Sequence, residues 1–144
     1  MQEKHRRFLS DTLKSMLLTA LLVTVGRYFL HGVPLIGLPK AEDVQSVTVI
    51  GENGESRVIT DAEDVDLLVM AANMLNYRFG TPEEQQAKLT VIYELTDGGN
   101  CVLQAGETTV WWKGKAHPLK QKRVFYNVAE GLFFFDGDQT ETEG

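Results

Sequence analysis

Apolar residues run almost unbroken from residue 16 to residue 38; beyond that they recur in short segments at alternating or helical spacing. From Met16 to Gly26 eleven consecutive residues carry no charge, which is the length of a signal-peptide core. A hydrocarbon layer needs about twenty. Apolar character resumes after Arg27 through Tyr28, Phe29, Leu30, Val33, Leu35, Ile36 and Leu38, so residues 16–38 count 23, with Arg27 and His31 the only ionisable interruptions. That length spans a bilayer, and an arginine near one end reaches the headgroups beside Tyr28 and Phe29. No Ala-x-Ala-like pair follows the apolar core, which favours a retained anchor over a cleaved signal peptide; a soluble amphipathic helix is the third alternative.

Pro34, Gly37 and Pro39 break any helix, and residues 39–43 read as a short tether. The pattern then changes to that of one compact domain over residues 44–135. Residues 44–50 are β-branched and run into Glu52-Asn53-Gly54-Glu55, a strong hairpin signal that leads to a second strand at 57–60. Thr60 with Glu63 has capping-box spacing, and Val65, Leu68, Val69, Ala72 and Leu75 recur on one helical face. A polar loop over 78–87 surrounds Pro82. Residues 88–96 alternate, with Leu89, Val91, Tyr93 and Leu95 on one side, and Asp97-Gly98 turns the chain back into a strand at 101–105. A further strand is expected at 108–113. A second helix is expected at 121–130, ending at Gly131 as a C-cap and followed by a buried run at 132–135. The acidic residues 136–144 read as a disordered tail. Strand pairs with two helices between them specify an α+β fold: a membrane helix followed by a small antiparallel sheet with two helices on one face.

Charge sets the orientation. Residues 1–38, with a basic head over 1–15, carry a net +3, and residues 39–144 a net −9. A basic flank stays on the cytoplasmic side, so residues 16–38 are expected to cross the cell membrane once, N-terminus inside and acidic domain outside. An acidic domain is repelled by anionic headgroups, and it is a poor partner for nucleic acid, whose phosphates are held by clustered Lys and Arg. Cys101 is the single cysteine, so no internal disulfide forms, and it lies far from the position that lipidation after an export segment requires.

Three clusters carry groups capable of chemistry. Asp61, Glu63, Asp64 and Asp66 are crowded enough to suggest a cation, but they lack the spacing of a calcium loop and sit where a helix N-terminus favours negative charge; no metal or cofactor is implied. Trp111-Trp112 is followed by Lys113, Lys115, His117, Lys120, Lys122 and Arg123, with no Asp or Glu anywhere in residues 108–129. Strand alternation places Val110 with Trp112 and Thr109 with Trp111 and Lys113, so Trp111 is expected outward and Trp112 inward. An outward Trp111 with Lys113, Lys115 and His117 is a candidate binding surface for a sugar, an anionic wall polymer, a headgroup or an envelope protein; the alternative is a solvated hairpin whose second Trp lies under a lysine stem. The third cluster is enzymatic and thin. The chain has no Gly-x-Ser-x-Gly, no His-Glu-x-x-His and no phosphate loop; Ser46 or Ser56 meeting His117 is the remaining route to a nucleophile and base.

Pro34-Leu35-Ile36-Gly37-Leu38-Pro39, residues 109–117 and Glu130-Gly131-Leu132-Phe133-Phe134 resemble segments of small membrane-anchored proteins of Gram-positive bacteria. The resemblance implies a single-pass anchor with an outside domain and carries no activity with it. The expected function is therefore non-enzymatic binding or an accessory role at the cell envelope. Alternatives are an envelope enzyme with a site built from scattered residues, and a subunit packed in the membrane through Arg27 and His31.

Overall fold

The computed structural model describes residues 2–138. Helix α1, Gln2–His31, carries no buried residue along its length. It is the one helix among the described residues long and apolar enough to cross a membrane. At 1.5 Å per residue, residues 8–30 span about 34 Å, close to the hydrocarbon thickness of a bilayer, with Asp11, Lys14 and Arg27 as charged interruptions. The domain then follows as β1 (Val33–Pro34), a single 3-10 turn (Ala41–Asp43), β2 (Val44–Ile50), β3 (Ser56–Ile59), α2 (Ala62–Asn73), β4 (Asn76–Tyr77), β5 (Leu89–Leu95), β6 (Asn100–Ala105), β7 (Thr109–Trp112), β8 (Lys115–Pro118) and α3 (Val124–Asp138). The protein is mixed α+β, with antiparallel pairing throughout.

Six strands form the main sheet in the order β3-β2-β5-β6-β7-β8, and β1 pairs with β4 in a two-stranded ribbon. The ribbon continues the main sheet, because Tyr77 bridges to Leu119 just past β8 and the Arg78 N–H donates to the Pro118 carbonyl at 2.8 Å. Alternation sends Val47, Val49, Val91, Tyr93, Leu103, Ala105, Val110 and Trp112 to one face. There they meet Val65, Leu68, Val69 and Ala72 of α2 and Phe125, Ala129 and Phe133 of α3. The opposite face carries the row Val58, Thr48, Ile92 and Val102, in register across four strands. Val58 is 58% and Val102 45% exposed, so this second face is not packed like the first.

Several local expectations are corrected. The cap of α2 is Asp61, not Thr60: its carboxylate accepts from the Glu63 and Asp64 N–H groups, satisfying two of the free donors of the first turn. The second helix begins at Val124 and runs through Gly131 to Asp138, because Phe133, one turn beyond the expected stop, is buried and holds the helix on the sheet. The expected buried run is a helical stripe instead, with Phe134 63% exposed. Residues 136–138 are accordingly helical, and the rest of the tail lies outside the described residues.

Candidate functional site

The junction between α1 and the domain is where the sequence reading and the structure differ most. The helix ends at His31, and residues 33–38, read above as membrane, belong to the domain: Leu35 is buried in its core and Leu38 packs against it. Gly32 makes the turn. Its φ of +83° is open to glycine, and a Cβ there would lie 2.8 Å from the Tyr77 carbonyl oxygen, 3.0 Å from the Asn76 Cβ and 3.2 Å from the Lys120 Cβ. Val33 and Pro34 then pair with Tyr77 and Asn76. Trp112 donates from Nε1 to the Ile36 carbonyl at 2.9 Å, and Asn73 donates from Nδ2 to the Pro39 carbonyl at 3.1 Å. Residues 33–40 are thus a strap bonded across the domain. The expected tether at 39–43 is pinned as well, since the Thr96 N–H donates to the Asp43 carbonyl at 2.9 Å.

The strap and the β7–β8 hairpin enclose a groove of about 260 Å³, with Pro34, Leu35 and Ile36 on one wall and Tyr77, Trp112, Lys113, Lys115 and His117 on the other. The second strand of this hairpin, 115–118, was not assigned from the sequence. Lys113 and Gly114 both take positive φ, 50° and 77°, which is the mirror-image two-residue turn that joins strands tightly. Its register pairs Trp112 with Lys115, Trp111 with Ala116 and Val110 with His117. Lys115 and His117 therefore share the face of Trp112, and Trp111 points to the other side. Lys113 leaves the strand alternation at the turn, and its Nζ lies 5.5 Å from the Trp112 ring centroid. So the structure gathers Lys113, Lys115 and His117 at the groove, adds Tyr77 and Trp112, and sets Trp111 half-buried on the uncovered sheet face beside Gln104. The Lys113-Gly114 turn between Trp112 and the alternating residues 115–118 was the signal available in the sequence.

The groove's electrostatics are one-sided. His117 lies against Tyr77 with ring centroids 4.3 Å apart. Burial, and then the Lys115 charge, hold its pKa below the ordinary imidazole value, so the ring is neutral at pH 7. Among the described residues no carboxylate lines the groove. Lys113 and Lys115 make no ion pair among the described residues, whereas Arg78 and Lys122 share Glu83, and Lys88 and Arg123 share Glu107.

The same strands are braced from the other side by Glu84. Its Oε1 accepts from the Thr108 and Thr109 N–H groups and from the Thr108 hydroxyl at 2.8 Å, tying the long loop before β5 to the β6–β7 turn. Burial alone would raise its pKa, but the Thr108 hydrogen bonds, with the Glu107 backbone N–H and the Lys88 charge, together outweigh burial and hold it below the usual 4.5. A carboxyl whose pKa is lower folded than unfolded stabilises the fold above its unfolded value and stops doing so as pH falls through the folded one. Glu84→Gln is therefore expected to cost about 1–2 kcal/mol at pH 7 and to flatten the loss of stability below pH ~4.5. Urea melts of both proteins between neutral and acidic pH test this; parallel pH profiles would refute it.

The other clusters resolve structurally. Asp61 is committed as the helix cap, and no three metal-ligating side chains converge among the described residues. Ser46 and Ser56 sit on β2 and β3, four and five strands from β8 in the sheet order, or roughly 19 and 24 Å at the usual strand spacing. Neither reaches His117. Cys101 is half-buried, and burial raises its pKa, so it is a poor thiolate. No protein-family model matches the chain, and neither a curated protein nor a solved structure matches it.

Proposed function

We propose that this protein is a single-pass membrane protein of the cell envelope, N-terminus inside and α+β domain outside, with a binding or accessory role rather than a catalytic one. The observation that carries the reading is the strap: the helix that is long and apolar enough to cross a membrane passes into the domain through a bonded junction, not a loose linker. Such a junction holds one surface of the domain at a fixed height over the bilayer. That suits a protein presenting a surface at the membrane. The basic head supports the orientation through the positive-inside rule. A binding role is supported by the groove itself, which joins aromatic rings to cations.

Fusions test the topology. A reporter active only outside the membrane is expected to work when attached after Gly144 and to be silent before Met1, and the chain should stay with membranes through an alkaline wash. The reverse fusion pattern would overturn the orientation. A mature protein that begins after Gly26 would remove the anchor.

A further inference from the structure

The three longest stretches of the chain without Asp or Glu are residues 12–41, 67–82 and 108–129. They are distant in sequence, and the fold brings them together. The first supplies α1 from residue 12 onward and β1, the second the later part of α2 and β4, the third β7, β8 and the segment that bridges to Tyr77. Their meeting point is the end of the domain that α1 enters, where Gly32 is buried against Tyr77 and Lys120. An acidic domain has therefore segregated its carboxylates away from the helix junction. Lys113, Lys115 and Lys120 project there without an ion pair among the described residues. Ile36, which lines the groove with Lys113 and Lys115, is 77% exposed, and Phe29 in the last turn of α1 is 74% exposed, a combination of apolar and cationic groups found at a bilayer's polar boundary.

We infer that this end of the domain, through Lys113, Lys115 and Lys120, binds the phosphate groups of anionic phospholipids in the leaflet that α1 enters. The inference rests on α1 being a retained anchor. Charge complementarity favours lipid, and position decides between lipid and other phosphates: the groove wall at Pro34 and Ile36 lies three to five residues past the end of the helix, within the depth of a headgroup layer. The net negative charge of the domain does not prevent contact. Screening limits exposed charges to about 8 Å at physiological salt; Glu83 and Glu107 are already paired with Arg78, Lys122, Lys88 and Arg123, and Asp43 and Asp97 line the neighbouring pocket at Gly37 and Pro39 rather than the groove.

The test uses the full chain reconstituted in vesicles of phosphatidylcholine, with or without phosphatidylglycerol. Lysines are labelled with a membrane-impermeant amine reagent and quantified by peptide mass spectrometry. Lys113, Lys115 and Lys120 are expected to react several-fold more slowly when phosphatidylglycerol is present, with the difference fading at high salt and Lys88 reacting equally in both. Equal rates for the three lysines would overturn the inference. So would equal protection by soluble glycerol phosphate added to neutral vesicles, which would mark a site for free phosphate or a phosphate polymer. As a second readout, the melting temperature should be higher in the phosphatidylglycerol vesicles, and the gap should vanish in K113Q/K115Q/K120Q; a gap that survives refutes the assignment. Alkaline extraction separates the two readings. A chain that washes off the vesicles fails as an anchored protein, whereas one that stays but labels equally fails only here.

Discussion

Trp112→Ala is expected to lower the stability of the domain by about 3–5 kcal/mol, a large part of what a domain of this size possesses. The ring is 8% exposed, in a core with Val110, Leu103 and Leu35, so truncation removes a large buried side chain and leaves a cavity behind. It also removes the Nε1 donor and leaves the Ile36 carbonyl without that partner. The second loss loosens the strap and the first the sheet. Trp112→Phe separates them: the ring bulk is largely kept while the bond to Ile36 is lost, for an expected cost of about 1–2 kcal/mol. Trp111→Ala is the internal control. That ring faces the uncovered side of the sheet, so its loss should cost well under half as much. Thermal melts of the full chain in detergent decide it: Trp112→Ala should fall by roughly 12 °C or more. Equal destabilisation by both alanine variants would mean that the second sheet face is covered.

Gly32→Val is expected to cost at least about 2 kcal/mol and to disconnect the helix from the domain. A β-branched residue is poorly tolerated at φ +83°, and its Cβ would press on a backbone carbonyl rather than on a flexible side chain that could swing away. The strain is relieved by parting β1 from β4. The loss should therefore be local as well as global: amide exchange at Tyr77, which pairs with Val33, and at Lys120, whose N–H donates to Asn76, should speed up before that of the β5 amides. A Gly26→Val control is informative, because Gly26 has open space around it and no positive φ. If Gly26→Val and Gly32→Val behaved alike, the junction would not be the bonded strap described above.

The α+β class, the strands β2, β5 and β6, and the inner face of α2 were legible because each depends on local periodicity: Val47, Val49, Val91 and Tyr93 alternate, and Val65, Leu68, Val69 and Ala72 recur at helical intervals. Trp111 outward and Trp112 inward followed from the same alternation. It failed at Lys113, where two positive φ values end the strand, and Lys115 and His117 came to the face of Trp112 rather than that of Trp111. The end of α1 was not legible either. Val33, Leu35, Ile36 and Leu38 are apolar whether they face lipid or a protein core, so composition assigned them to the membrane. Only the packing of Leu35 and the pairing of Val33 with Tyr77 show that they belong to the domain.

What the sequence by itself determined is therefore what hydrophobic periodicity and charge counts encode: a segment fit to cross a membrane, an acidic α+β domain after it, and a carboxylate-free cationic stretch at 108–129. What only the tertiary structure decided is where those pieces meet. The groove is built from residues 34–36, Tyr77 and the β7–β8 hairpin, segments that lie 41 and 32 residues apart from Ile36 to Tyr77 and from Tyr77 to Thr109. Nothing local links them, because their contacts are backbone pairings and one indole-to-carbonyl bond whose partners lie 76 residues apart in the chain. Such contacts exist only after the sheet has closed. The place where charge is concentrated could be read from the chain, and the surface it forms could not.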